Sequence, residues 1–319
     1  MDRPQDCPLC GGPLSATSVR AIDRLVTGDG PFAVLECRAC RLGVTDLHGV
    51  ELERYYGGSY FDAFYEHESV AASSPLEALR RRYRRRSAAR RFGRAPLGVA
   101  GLAPGRVLDV GCGGGELLAY YAARGWESFG IDPSSSAARA ARARGATVHQ
   151  GTLADQPWAP GSFDIVVFSH SLEHIPEPLA ALLTARELLA PGGRLAIAAP
   201  NWRCWQRSLF GGFWFPLDLP RHLQHFSPRA LAVLARILEL DVVSIGTSST
   251  IIAPTYSLHY LIAGRWTPGW KLWLAYALGA AVFPLFLALD RLLGADACYA
   301  ALRRPDAPTG DTPSADTTL

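Results

Sequence analysis

The sequence predicts an α/β protein built on a mostly parallel sheet, with a small metal-binding module before it and an apolar helical segment after it. Three observations carry this reading. The run Val107-Leu-Asp-Val-Gly-Cys-Gly-Gly-Gly-Glu116 reads as an apolar strand ending beside an acid, then a glycine loop that turns straight into a helix. In a parallel sheet that junction lies at the carboxyl edge, where ligands bind. A second short strand ends in Gly130-Ile131-Asp132, about twenty positions past the loop. Ahead of both stand two Cys-x-x-Cys pairs, Cys7 with Cys10 and Cys37 with Cys40.

The cysteine pairs come first in the chain, as Cys7-Pro-Leu-Cys10-Gly-Gly and Cys37-Arg-Ala-Cys40-Arg-Leu-Gly43. Paired thiolates at this spacing give tetrahedral coordination, with zinc as the usual occupant. Apolar alternation from Phe32 to Leu35 fits a ribbon hairpin between the knuckles. Two disulfides or a redox pair are the alternatives. The polar opening Met-Asp-Arg-Pro does not read as a secretion signal, and an odd total of 7 cysteines suits a reducing compartment. Four thiolates leave no open position on a metal, so a structural zinc is expected. The thiols of Cys112, Cys204 and Cys298 carry no assigned chemistry.

Next comes an aromatic patch, Tyr55-Tyr56-Gly-Gly-Ser-Tyr60-Phe61, which suits core packing between the modules. Nine arginines then fall between Arg80 and Arg94. Such a run is most simply a solvated helix face; an anionic membrane or a phosphate-bearing substrate is the sharper alternative. The aromatics do not interleave with the arginines, and the net charge of the chain is only +3, so nucleic acid is not favoured.

The glycine loop lacks dinucleotide spacing. It reads Asp109-x-Gly111-x-Gly113-x-Gly115, with no lysine for a triphosphate. The acid at its head would repel a pyrophosphate but suits an ammonium group, and Asp132 suits a ribose diol. A ligand with an amino-acid end and a ribose end points to S-adenosylmethionine.

From Arg106 to Asn201 the chain resembles the class I S-adenosylmethionine-dependent methyltransferases of the zinc-ribbon type. Asp109-x-Gly111-Cys112-Gly113-Gly114-Gly115 resembles the first motif, and Gly130-Ile131-Asp132-Pro133 the ribose motif. Gly151-Thr152-Leu153 follows the third strand, where the family holds the adenine. Pro160-Gly-Ser-Phe-Asp-Ile-Val-Val167 leads into the fourth strand, Ser169-His170-Ser171-Leu172-Glu173-His174-Ile175-Pro176 follows it, and Leu189-Ala-Pro-Gly-Gly193 precedes the fifth. The resemblance implies a Rossmann-like, seven-stranded, mostly parallel sheet. It assigns cofactor contacts to Asp109, Gly111, Cys112, Gly113, Gly115, Asp132, Pro133, Thr152, Leu153 and Ser169. Many relatives carry an acid where Gly151-Thr152-Leu153 stands, so a backbone contact near Leu153 is expected here. The tyrosine-rich segment is implied to lead into helices that lid the cofactor pocket.

Past the fifth strand, Asp218-Leu-Pro-Arg-His222-Leu-Gln-His-Phe-Ser227 resembles a signature of these zinc-ribbon enzymes and is expected to return over the pocket mouth. His222 is the candidate on the substrate side, and His170 is placed near the methyl group; both are candidate catalytic residues, with hydrogen bonding within the loop as the alternative. If the segment is helical, His170 and His174 face one side. Some quinone O-methyltransferases with a similar motif bind a divalent metal through acids here. This chain has His170 in place of one of them, so a metal-free site is expected.

Ile251 to Ala263 is apolar, and Leu272 to Leu289 is eighteen residues without a charge. Eighteen is the lower edge for a membrane span. Asp296 to Arg303 reads as the last strand of the same sheet, so a single crossing would strand it on the wrong side. A hairpin lying in one leaflet, with Trp266, Trp270 and Trp273 at the interface, gives peripheral membrane contact through 251–290; a dimer surface or a cap over the substrate pocket is the alternative. The expected organisation is a zinc ribbon (1–50), a helical lid or linker (51–102), the S-adenosylmethionine-binding core (103–250), a hydrophobic helical insertion (251–295), the last strand (296–304) and a disordered tail (305–319). The expected activity is methyl transfer to an oxygen or carbon of a small-molecule, glycan or lipid-linked acceptor, in the cytoplasm or at the inner face of the membrane. The alternatives are a non-catalytic binding module that retains the cofactor pocket and an RNA methyltransferase.

Overall fold

The computed structural model describes residues 6–55 and 102–306. The arginine run, all of the tyrosine patch except Tyr55, and the chain beyond 306 lie outside the described residues.

The ribbon comes first. Strands β1 (Leu14–Ala21), β2 (Phe32–Cys37) and β3 (Gly43–Asp46) form an antiparallel meander. Val34 and Leu35 are adjacent yet both buried, so the middle strand is covered on both faces rather than alternating. Tyr55 closes one end of the ribbon, edge-on to Phe32 and donating its hydroxyl to Asp29.

The main sheet is built from β4 (Arg106–Val110), β5 (Glu127–Asp132), β6 (Thr147–Gln150), β7 (Phe163–Ser169) and β8 (Leu189–Pro200), which run parallel. A two-residue strand, β9 (Gln224–His225), intervenes before β10 (Asp241–Ser248) and β11 (Ala297–Arg303) complete the sheet. The order is β10-β11-β8-β7-β4-β5-β6, with β11 antiparallel to both neighbours. This is the seven-stranded, mostly parallel Rossmann-like architecture that the sequence predicts. Central β7 reads Ile165-Val-Val-Phe168 because both of its faces are roofed by helices, and all four residues are fully buried. β8 starts at Leu189, inside the stretch read as a turn, because Leu189 already pairs with Phe163 before the register shifts at the glycine pair.

Helix α1 (Glu116–Ala122) leaves the glycine loop and lays Leu117 and Tyr121 on Val107, Ile165 and Val167. α2 (Ser135–Ala143) starts at Ser134, whose hydroxyl accepts from the Ala137 N–H, and packs closely through Ala137, Ala138 and Ala141. α3 (Pro178–Leu188) covers the opposite face of the sheet. A short α4 (Trp205–Phe210) follows β8, and α5 (Pro228–Ile237), capped by Ser227, joins α3 over that face. The ribbon does not stand apart. β9 pairs with β3, Gly43 opposite His225 and Val44 opposite Gln224, so the returning loop supplies the fourth strand of the ribbon sheet. Leu42, Val44 and Phe226 merge the ribbon into the main core.

The C-terminal insertion is a helical hairpin of α6 (Ile252–Ala263) and α7 (Trp270–Leu293). Gly279 of α7 sits against Thr255, where any Cβ would overlap the threonine side chain, so the two helices touch at backbone distance. Along α7 only Ala275, Gly279, Phe286 and Asp290 are buried. Trp270, Leu285 and Leu292 are 69%, 61% and 80% exposed. Both ends are tied to the folded body: Trp266 N–H donates to Arg24 O at 2.7 Å, and Asp290 accepts from Trp205 Nε1 at 2.8 Å and Gln206 Nε2 at 3.1 Å.

Candidate active site

The cofactor end of the site forms where β4 and β5 stop side by side. Asp109 is buried, and its Oδ1 has no hydrogen-bond partner among the described residues. Burial, with the charge of Asp132 beside it, pushes its pKa up to about 7. A carboxylate held this way without a donor fits an ammonium group. Gly111 turns with φ of 74°, and a Cβ there would overlap Ser171, whose hydroxyl donates to Val110 O and braces the next loop beneath it. Asp132 accepts from the Gly113 N–H through Oδ2 and the Ser134 N–H through Oδ1, both at 2.9 Å. Each oxygen keeps a second lone pair, as a ribose diol would need.

The other expected cofactor residues divide. Cys112 turns its thiol into the packing of Leu118, Ala138 and Val148, leaving only its backbone at the loop. Gly115 caps α1, and Pro133 is exposed beyond Asp132. Leu153 is buried and apolar just past the end of β6. Thr152 and Asp155 instead close a reciprocal capping box, with Asp155 Oδ1 accepting from the Thr152 N–H and hydroxyl, so Asp155 is bound back into its own turn.

Beyond Ser169, at the end of β7, the condition for His170 and His174 to share a helix face is not met. His170 takes a left-handed φ of 56°, which breaks any helix before it starts, and only Leu172–His174 forms a single 3-10 turn. His170 and His174 therefore do not share a helix face; they flank Glu173. Glu173 is buried, and neither of its oxygens has a hydrogen-bond partner among the described residues. Its Oε1 lies 3.6 Å from His170 Nδ1 and 4.0 Å from His222 Nε2. Burial works against its charge, but contact with His170 and the facing His222 hold its pKa down to about 2.

His222 differs from the substrate-side expectation. It is 9% exposed, its Nδ1 lies 2.9 Å from Pro216 O, and its Nε2 faces Glu173. Both ring nitrogens are engaged inside the protein, whereas the side chain of His170 is 38% exposed. His174 stacks edge-on against His222 and bonds Arg221 O through Nδ1 at 3.1 Å. The metal-free expectation also meets a different geometry. Glu173, His174 and His222 each present a ligand atom within 4.8 Å of the others, a set of two imidazoles and one carboxylate that could hold a divalent ion. Only the spatial return of the 218–227 loop brings them together; nothing in their spacing along the chain announces it.

At the ribbon, Cys7 lies 3.6 Å from Cys40 and Cys10 lies 3.6 Å from Cys37, sulfur to sulfur. A disulfide needs about 2.05 Å. Sulfurs at the corners of a zinc tetrahedron, with bonds of about 2.3 Å, stand about 3.8 Å apart. All four sulfurs lie within 4.8 Å of one another, so the set fits zinc.

A Rossmann-like sheet whose carboxyl edge carries Asp109, the glycine loop and Asp132 defines an S-adenosylmethionine-dependent methyltransferase, and the protein is such an enzyme. The chain belongs to the family described as "Methyltransferase domain", which it matches over residues 80–245. It is 32% identical over 188 residues to a ubiquinone biosynthesis O-methyltransferase of Cupriavidus pinatubonensis, covering 53% of this chain and 76% of that one. A protein of the same name from Aromatoleum aromaticum is 32% identical over 173 residues, covering 50% and 74%. Among solved structures, a SAM-dependent methyltransferase from Archaeoglobus fulgidus aligns with a TM-score of 0.48 at 20% identity, over 72% of this chain and 100% of that one.

Proposed function

We propose that the protein methylates an oxygen of a small, apolar or lipid-linked acceptor, with His170 taking the acceptor's proton. The observation that carries this reading is the pair of an exposed His170 and a buried Glu173, whose Oε1 lies 3.6 Å from His170 Nδ1. With Nδ1–H turned toward the carboxylate, the Nε2 lone pair of His170 faces outward, the arrangement a general base needs. The sulfonium of S-adenosylmethionine is already activated, so holding the acceptor oxygen in line and removing one proton suffices. Asp109 would pair with the cofactor ammonium, Asp132 with its ribose, and Leu153 with its adenine. The name shared by the relatives, ubiquinone biosynthesis O-methyltransferase, supports an oxygen acceptor on a small molecule.

In this reading His222 stands behind Glu173, 4.0 Å from it through Nε2, and the four thiols hold a structural zinc. The ribbon (1–50), the core (103–250) and the insertion (251–295) act as one enzyme. The α6–α7 hairpin lies on a membrane surface, from which an apolar acceptor would be drawn. Its exposed tryptophans and leucines support this, as do the cations Arg265, Lys271 and Arg291 beside them. α7 is long and apolar enough to span a bilayer. With both ends bonded to the same folded body, it runs alongside that body, which favours an in-plane position.

The reading is tested by incubating fractionated cell extract with methyl-labelled S-adenosylmethionine and either the wild-type enzyme or a Gly113→Arg variant. Label is expected in the lipid fraction with wild type alone. Wild-type label confined to soluble compounds would remove the lipid acceptor, and its absence from every fraction would remove the catalytic reading.

A further inference from the structure

We infer that the ribbon sets the tautomer and position of the histidines at the acceptor edge, with Asp23, Thr45 and Arg221 as positioning residues. The inference rests on the reading of that edge given above, but not on the identity of the acceptor.

The side chain of Arg221 is fully buried, an unusual place for a guanidinium, and is clasped by two carboxylates from different modules. Nη2 lies 2.8 Å from Asp23 Oδ1 in the ribbon and 2.5 Å from Asp218 Oδ1 in the loop. Asp23 is itself fixed, accepting from the backbone N–H groups of Leu25, Val26 and Thr27. The backbone carbonyl of Arg221 receives His174 Nδ1. Because a carbonyl can only accept, His174 must carry its proton on Nδ1.

A second link runs through Thr45 in β3. Its N–H donates to Leu223 O at 2.9 Å, and the Leu223 N–H donates to Glu173 O at 2.7 Å. The Thr45 hydroxyl donates to His222 O, so its oxygen accepts from His225 Nε2 at 3.0 Å. His222 Nδ1 faces the carbonyl of Pro216 and so is also protonated there. Free imidazole prefers its proton on Nε2, so the two Nδ1–H forms are imposed by carbonyls, and the loop carrying those carbonyls is held by the ribbon. Beside them, Glu173, His174 and His222 each bring a ligand atom within 4.8 Å of the others.

The experiment uses full-length, purified enzyme labelled with ¹⁵N in histidine, compared by NMR as wild type, Asp23→Asn, Arg221→Lys and Thr45→Val. Zinc content and S-adenosylmethionine affinity are measured on the same samples. In wild type, His174 and His222 are expected as Nδ1–H tautomers. Asp23→Asn and Arg221→Lys should convert His174 to a mixture of tautomers, and Thr45→Val should do the same to His222. Zinc stoichiometry should be unchanged, cofactor affinity should stay within about twofold, and methyl transfer should fall about tenfold or more, as misplaced groups cost. If Asp23→Asn fails to fold, Arg221→Lys, which keeps the charge, carries the test. Wild-type Nε2–H signals, or wild-type tautomers in the folded variants, would overturn the inference. So would tautomer changes confined to protein that has lost its zinc, since the ribbon would then act only as a support for the fold.

Discussion

Oε1 of Glu173 lies 3.6 Å from Nδ1 of His170, and the carboxylate is buried while the imidazole is exposed. The pair is thus polarised from the inside outward. His170→Gln is expected to lower methyl transfer by about 10²- to 10⁴-fold, the usual worth of a positioned base. Glu173→Gln, which keeps shape but removes charge, should cost less than His170→Gln. Calorimetry should find S-adenosylmethionine affinity little changed in both. Full activity in His170→Gln would exclude it as the base.

Cofactor binding should depend on pH through Asp109. Its folded pKa is raised to about 7, so the carboxyl of the free enzyme takes up a proton as pH falls through that value. An ammonium ligand needs the ionised form. Affinity should therefore be full above pH 7 and weaken toward about tenfold per pH unit below it. Titration calorimetry at several pH values measures this, and Asp109→Asn should bind more weakly with a flatter profile.

Asp296 gives a stability effect of definite sign. It is buried beside Thr250, whose N–H and hydroxyl it accepts, and burial pushes its pKa up to about 7. Between about pH 4, the unfolded value, and pH 7 the folded state keeps a proton that the unfolded state releases. Stability from this group is present at low pH and lost as pH rises to 7. Asp296→Asn should raise the melting temperature at pH 8 relative to wild type and give much less benefit at pH 4.

The thiolate centre predicts one zinc per chain by elemental analysis. Cys37→Ser should abolish it and lower the melting temperature, because the metal's binding energy is folding energy for the ribbon. Zinc retained at full stoichiometry in Cys37→Ser would remove the four-thiolate site.

For the hairpin, co-sedimentation with anionic vesicles should bind wild type and weaken about tenfold or more in Leu285→Glu, given the worth of one buried leucine side chain. Leu285 is 61% exposed, so the substitution should leave the fold intact. Equal binding by both proteins would argue against a bilayer under α7.

Short-range chemistry was legible in the sequence. The strand-glycine-helix junction, the acids at the ends of β4 and β5, the paired cysteines and the late strand β11 each declare themselves within about ten residues. What was not legible depends on closure over long separations. Arg221 meets Asp23 across 198 residues and Thr45 meets His222 across 177, and no local pattern marks either pair. His222 carried the right chemistry for a base, but its orientation is set by Pro216 and Glu173. Whether His170 to His174 is helical turned on one backbone angle, to which side-chain periodicity is blind.

The two-residue pairing of β9 with β3 bears on how this enzyme can be cut. A fragment beginning at the glycine-loop domain would keep every cofactor residue, yet Gln224 and His225 would lose their neighbouring strand and Arg221 its carboxylate from Asp23. Such a fragment should bind S-adenosylmethionine and turn over poorly. Grafting a foreign ribbon would not repair it unless the graft brought the same edge strand and the same acid, so ribbon and sheet fold as one continuous body.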